Sequence, residues 1–298
     1  MNLKHSFILL ILGTLLCGTV AQTQLKKRVA VSRFEDRSGG GYSNVGEGVA
    51  DMLATALVKS DEFIVVERQE LDKILKEQKL DQSGIVTEQS AAKIGRALGV
   101  DLLVIGSVSE FGTSQREIGA NVPLFGGNVT RKTARAVVDI RLVNTTTGEI
   151  IAAEKEEGSE STTGVSGHYE EIDFRNVSDW NNTDLGKAAR EAVDGCVELI
   201  AKNMGKIPWS GRILRVNADG TVLMKPGSEG NVEVGAEFDV YNEGEDIIDP
   251  DTGLSMGRDE TKVGNIKIME DMLNGKASKA KVLNGTGLKV GDIVREKK

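Results

Sequence analysis

Two histidines, two cysteines, four prolines and an aromatic content of 4% in 298 residues exclude several kinds of chemistry. His168 is the only histidine beyond the leader-like first residues, and no motif surrounds it, so histidine-based triads and zinc sites have no constellation to build on. Cys196 is the one thiol outside that leader, which rules out an intrachain disulfide framework and leaves stability to the core. Its helical spacing with Ala192, Val193 and Ile200 reads as a small buried apolar side chain. Basic charge is also scarce relative to acidic, with a net charge of -8, and this argues against a nucleic-acid partner.

What is abundant is glycine, and "SGGGYSNVGEGVADMLATAL" sets a glycine-rich stretch between an apolar strand and an amphipathic helix. A Walker loop would place lysine and Ser/Thr directly after its last glycine, whereas Gly48 is succeeded by Val49, Ala50 and Asp51. Gly39, Gly40, Gly41, Gly46 and Gly48 do not fit the dinucleotide spacing either, and Asp36, Glu47 and Asp51 add negative charge. Asp246, Asp249 and Asp251 lack EF-hand spacing and read as a solvated hairpin tip. No catalytic residue, cofactor-binding residue or metal ligand is expected, and the chain does not read as an enzyme.

The first residues, "MNLKHSFILLILGTLLCGTVAQTQ", have the layout of a secretory signal peptide over residues 1–21, with an apolar run too short to span a membrane comfortably. Export is therefore expected. Cys17 is a poor lipid-anchor site because bulky Leu16 precedes it where a small residue belongs.

Residues 26–205 read as an α/β domain, a mixed sheet with packed helices. Strand patterns occur in "KKRVAVSRFED", "EFIVVER" and "VDLLVIGSVSEF", the last apolar enough to be central in a sheet. Helical faces are formed by Val49, Met52, Leu53, Ala56 and Leu57, by Leu71, Ile74, Leu75 and Gln78, and by Ala91, Ile94 and Leu98 with Gly99 as the stop. In "RKTARAVVDIRLV" Ala134, Ala136, Val138, Ile140 and Leu142 should face a core and Arg135, Asp139 and Arg141 water. Thr147-Gly148 reads as a hairpin turn, and a long helix runs from an Asp184 cap to Gly205. Residues 206–298, with short alternating runs between Asp-Gly, Pro-Gly and Asn-Gly punctuation, read as a small all-β barrel or sandwich domain.

Four segments in order resemble the CsgG family of curli production assembly/transport components: "VAVSRFEDRSG", "VADMLATALVKSDEFIVVERQELDKILKEQKL", "ALGVDLLVIGSVSEF" and "VVDIRLVNTTTGEII". The resemblance covers roughly Val29 to Met204; the carboxyl-terminal region is instead similar to small β modules appended to CsgG-like exported proteins. The resemblance implies an α/β domain on the periplasmic side of the outer membrane that assembles into a homo-oligomeric ring. In channel-forming members each subunit adds two β-hairpins to a shared transmembrane barrel, and a loop after the first strand narrows the pore. Tyr42 and Asn44 occupy that loop position and are the implied pore-constriction candidates, although the loop is shorter than the family's and lacks a second aromatic. Implied partners are a secreted protein cargo or cell-envelope proteins.

The hairpins would fall at about 108–143 and 150–182. The second carries Glu154, Glu156, Glu157, Glu160, Glu170, Glu171 and Asp173, and acidic groups on a lipid face are unfavourable. Two readings stand side by side. One is a ring-forming channel or channel-associated subunit of an outer-membrane secretion or assembly system; the other is a soluble periplasmic adaptor of the same fold, similar to the penicillin-binding-protein activators.

Overall fold

The computed structural model describes residues 24–39, 41–77, 88–117, 129–165, 182–251 and 255–297. The signal-like segment, Cys17, Gln78, His168 and the hairpin ends at 118–128 and 166–181 lie outside the described residues.

The chain folds into a mixed α/β sheet with packed helices, followed by a closed six-stranded β-barrel. Strand β1 (Lys27–Val31) lies parallel to β3 (Phe63–Val66) on one side and to β4 (Leu102–Glu117) on the other. The short β2 (Glu35–Asp36) continues along β4, and β5 (Val129–Asn144) and β6 (Ile150–Val165) extend the sheet antiparallel. The order β3-β1-β4-β5-β6 puts the apolar β4 at the centre, as its composition requires.

Helices α1 (Val45–Ser60) and α4 (Asp184–Met204) cover one face. Into that core point Val49, Leu53 and Leu57 of α1 and all five even positions of β5 from Ala134 to Leu142. Helices α2 (Arg68–Glu77) and α3 (Glu88–Leu98) cover part of the other face, seating Leu71, Leu75, Ala91 and Ile94 against Ala30, Leu103 and Ile105. Ile74 is only half-buried, and Gly99 ends α3 at a φ of 65°. The cap of α4 differs by one residue from the sequence reading. Thr183, in extended conformation, accepts the Gly186 N–H at 2.9 Å, and Asp184 is the first helical residue, where its charge meets the helix dipole.

Strand β6 is the described half of the segment 150–182, and it pairs with β5 from Val143 to Val129. Two of its four described acids have basic partners within the fold: Glu157 takes a bidentate contact from Arg135 at 2.7 and 2.8 Å, and Glu160 accepts Lys187 of α4 at 3.1 Å; burial, then the charges of Glu154 and Glu198, push the Glu156 carboxyl up. Gly158 passes directly under the Ala188 carbonyl of α4.

The barrel runs β7 (Gly211–Val216), β8 (Thr221–Lys225), β9 (Glu237–Ile248), β10 (Ser255–Met272), β11 (Ala277–Gly285) and β12 (Ile293–Glu296), closed in the order β10-β11-β8-β7-β12-β9. Trp209, Ile213, Met224, Phe238, Ile266 and Val294 fill it. Closure leaves no open sheet edge around that core.

Candidate functional site

The loop joining β2 to α1 begins with a turn made by Asp36, whose carboxylate accepts the Ser38 N–H at 3.0 Å and the Ser38 hydroxyl at 2.7 Å. Asn44 ends the loop in the left-handed region, φ 63°, and its side chain makes no capping bond to α1. It is exposed, whereas Tyr42 is half-buried and sets its ring edge-on against Phe111 of β4, with centroids 5.5 Å apart. The two constriction candidates thus sit on one loop with different surroundings: Tyr42 leans on the core and Asn44 meets solvent.

One glycine of this stretch has a packing role. A Cβ on Gly46 would lie 2.1 Å from the Phe34 carbonyl oxygen, so only glycine lets the first turn of α1 lie against the chain leading from β1 into β2. The carboxylates near that turn are engaged by arginines. Glu47 lies 3.6 Å from Arg33, which also meets Asp72 at 3.1 Å, and Asp51 pairs with Arg68. A glycine placed for close approach and a ring of arginine-paired acids suit packing, not phosphate binding.

Beyond α2 and α3, the second face of the sheet carries charge. The odd positions of β5 point here, and Arg135 joins Glu157 of β6 to Glu110 of β4, the latter at 2.7 Å. The hydrogen bond from Arg135 holds the Glu157 carboxyl below its ordinary range. Nearby, Arg37 pairs with Glu35 at 2.8 Å, and a groove of about 560 Å³ runs past Ser32, Arg33, Asp139, Arg141 and Glu154. Sequence reading found the polar side of β5 but not this three-strand ion-pair ladder, because Glu110, Arg135 and Glu157 meet only once register is known.

Reactive groups are few. Cys196 is fully buried on α4, and burial, then the charge of Glu156, pushes its thiol up to about 12. At pH 8 a thiol of that pKa is ionised to about one part in 10⁴, so a thiol-specific reagent should label Cys196 only as fast as the protein opens. Rapid labelling in native buffer, monitored by absorbance, would contradict this burial. Asp249 and Asp251 close the exposed β9–β10 hairpin by a local turn, Asp251 N–H to the Asp249 carboxylate at 2.9 Å. No cluster of three or more His, Cys, Asp or Glu suited to a metal occurs among the described residues. No described helix is long and apolar enough to cross a membrane, which leaves membrane-spanning strands unaddressed.

Comparison with known proteins places these features. The curli production assembly/transport component CsgG of Salmonella typhimurium strain LT2 is 28% identical to this chain over 115 residues, 37% of this chain and 42% of that protein. The Escherichia coli K12 protein of the same name matches to the same extent. The aligned part thus spans less than half the length of these relatives. Among solved structures, the hypothetical protein CT253 from Chlamydia trachomatis is 16% identical with a TM-score of 0.41, covering 60% of this chain and 97% of that one. The LpoB C-terminal domain from Salmonella enterica is 21% identical with a TM-score of 0.33, covering 46% of this chain and 85% of that one. The family model for the curli production assembly/transport component CsgG matches residues 16–223, which include the described α/β sheet, the glycine loop and the four α-helices among the described residues, and the chain belongs to the CsgG family.

Proposed function

We propose that this protein is a non-enzymatic component of an outer-membrane secretion or assembly system, exported to the periplasmic side, in which copies of the α/β unit form a ring. The observation that carries this reading is the family match from 16 to 223, which takes in the loop of Tyr42 and Asn44 as well as the sheet. In such a ring the loop faces the central opening, with Asn44 offering its exposed amide and Tyr42 its phenol. The charged second face of the sheet supports assembly, since a neighbouring copy can complement its fixed acid and base pattern. The cargo is a secreted protein or another envelope protein.

A second reading, a periplasmic adaptor that does not insert, has its own support. At the far end of the three long strands, Thr113, Ser114, Gln115, Arg116 and Glu117 of β4 are all exposed, as are Arg131 and Lys132 of β5 and Ser161, Thr162 and Thr163 of β6. Lipid-facing strands alternate apolar and polar over about ten residues, and this stretch is polar on both faces.

Negative-stain imaging of the detergent-extracted membrane fraction decides between them. Rings with a stain-filled centre are expected, and in planar bilayers Tyr42→Ala should raise their conductance by widening the opening. Soluble particles without rings would overturn the channel and leave the adaptor.

A further inference from the structure

Between the sheet and the barrel lies a small cleft of about 30 Å³, bounded by the amino end of β1, the loop into β4, the linker before β7 and the end of β8. Its floor is Asp101, almost wholly buried, whose two oxygens are already taken: Oδ2 accepts the Arg28 N–H at 2.8 Å and Oδ1 the Ser210 hydroxyl at 2.7 Å. The walls carry Arg28, Arg96, Arg212 and Lys225, and the charges of Asp101 and Glu229 both act on Arg28. Arg212 is held by Glu243 at 2.7 and 3.2 Å, but the Arg28 guanidinium and the Lys225 ammonium have no ion pair among the described residues. Arg28 Nε is buried with no hydrogen-bond partner.

A buried N–H without an acceptor is costly, and Arg28 Nε is such a group, although the Arg28 and Lys225 side chains as wholes are half-buried. One water needs about 10–15 Å³ of such space, so the cleft has room for about two oxygens. We propose that this cleft binds a small carboxylate anion, its oxygens accepting from Lys225 Nζ and Arg28 Nε. The site joins the two lobes, because Arg28 belongs to the sheet and Lys225 to the barrel. It is independent of ring formation and of the loop at Tyr42.

The charges around Lys225 fix the expected pH behaviour. Burial, then Arg28 and Arg212, lower its pKa, and Asp101 opposes them; Arg96 of α3 also lines the cleft. Lys225 is protonated and able to hold a carboxylate below that lowered pKa. The anion should be released as pH rises through it, before ordinary lysines titrate.

The test is thermal unfolding of the protein titrated with acetate at constant ionic strength. Melting temperature should rise saturably, by roughly 3 °C when acetate exceeds its dissociation constant tenfold. Lys225→Met should lose that response while melting no lower than the unaltered protein without acetate, since an unpaired cation has been removed. Repeating the titration on the unaltered protein at rising pH needs no variant, and the response should fade below the usual lysine range. A non-saturable response, the same response in Lys225→Met, or one indifferent to pH would overturn the proposal.

Discussion

Gly158→Val is expected to destabilise the protein by about 3 kcal/mol or more, one of the largest effects of a single side chain in the sheet. A Cβ at this position would stand 1.8 Å from the Ala188 carbonyl oxygen and 2.8 Å from the Ala192 nitrogen, and both are backbone atoms of α4 that cannot rotate away. The helix would have to lift from the sheet, uncovering Ala188, Ala189, Ala192 and Val193. Small residues on both partners, including Ala134 and Ala136 on β5, set the close approach, and valine at 158 removes it. Gly112→Ala on β4 is the control: it has an ordinary φ and nothing within 4 Å of the added Cβ, so its effect should stay within about 0.5 kcal/mol. Urea unfolding of both variants checks the contrast, and equal losses would mean that the helix–sheet spacing is softer than the geometry says.

The same strand shows where sequence reading stops. β1 and β5 were legible from alternating apolar positions, β3 from its β-branched residues, β4 from its continuous apolar run, β6 as the strand after the Thr147-Gly148 turn, and α1 because Val49, Leu53 and Leu57 recur on one face. β6 carries glutamates and Gly158 where an apolar stripe would stand. Its burial comes from α4 pressing on a glycine, and Glu157 and Glu160 are paired by Arg135 and Lys187, partners 22 and 27 residues away. Nothing in the local pattern announces either. Asp184 and Thr183 are both good capping residues, and only the extended backbone of Thr183 decides between them.

For the candidate site, the glycine loop was legible and its use was not. The run Val49-Ala50-Asp51 after Gly48 does not fit a Walker loop, yet the contacts that give the loop its form, Gly46 against Phe34 and Tyr42 against Phe111, are tertiary. The cleft at Asp101 was invisible for the same reason. Its members come from β1, the loop before β4, the linker and β8, and no spacing rule connects Arg28 to Lys225.

Trp209→Ala is expected to cost about 3–5 kcal/mol, with the loss felt on both sides of the junction. The indole is 3% exposed and stacks at a tilt on Phe238, ring centroids 5.2 Å apart, in the barrel core. Its Nε1–H donates to the Lys26 carbonyl at 3.2 Å, and Arg295 of β12 donates to the Trp209 carbonyl at 3.2 Å. The lead into β1 is tied to the barrel a second time by the Lys26 N–H to the Gly230 carbonyl at 3.1 Å, and Leu25 packs against the barrel core. Removing the indole therefore opens a cavity and leaves the Lys26 carbonyl without its donor, two costs that add. Trp209→Phe separates most of the packing from the hydrogen bond: the smaller ring fills most of the core, so the lost hydrogen bond and a small residual cavity should register, at about 1–3 kcal/mol. If the two variants lose equal stability in urea, the hydrogen bond to Lys26 dominates. If the alanine variant loses under about 1 kcal/mol, the barrel does not depend on Trp209. A large alanine effect with a small phenylalanine effect is the result expected of a core residue that also holds the first strand of the sheet, and it would make the stability of the CsgG-like unit depend on the barrel at its carboxyl end.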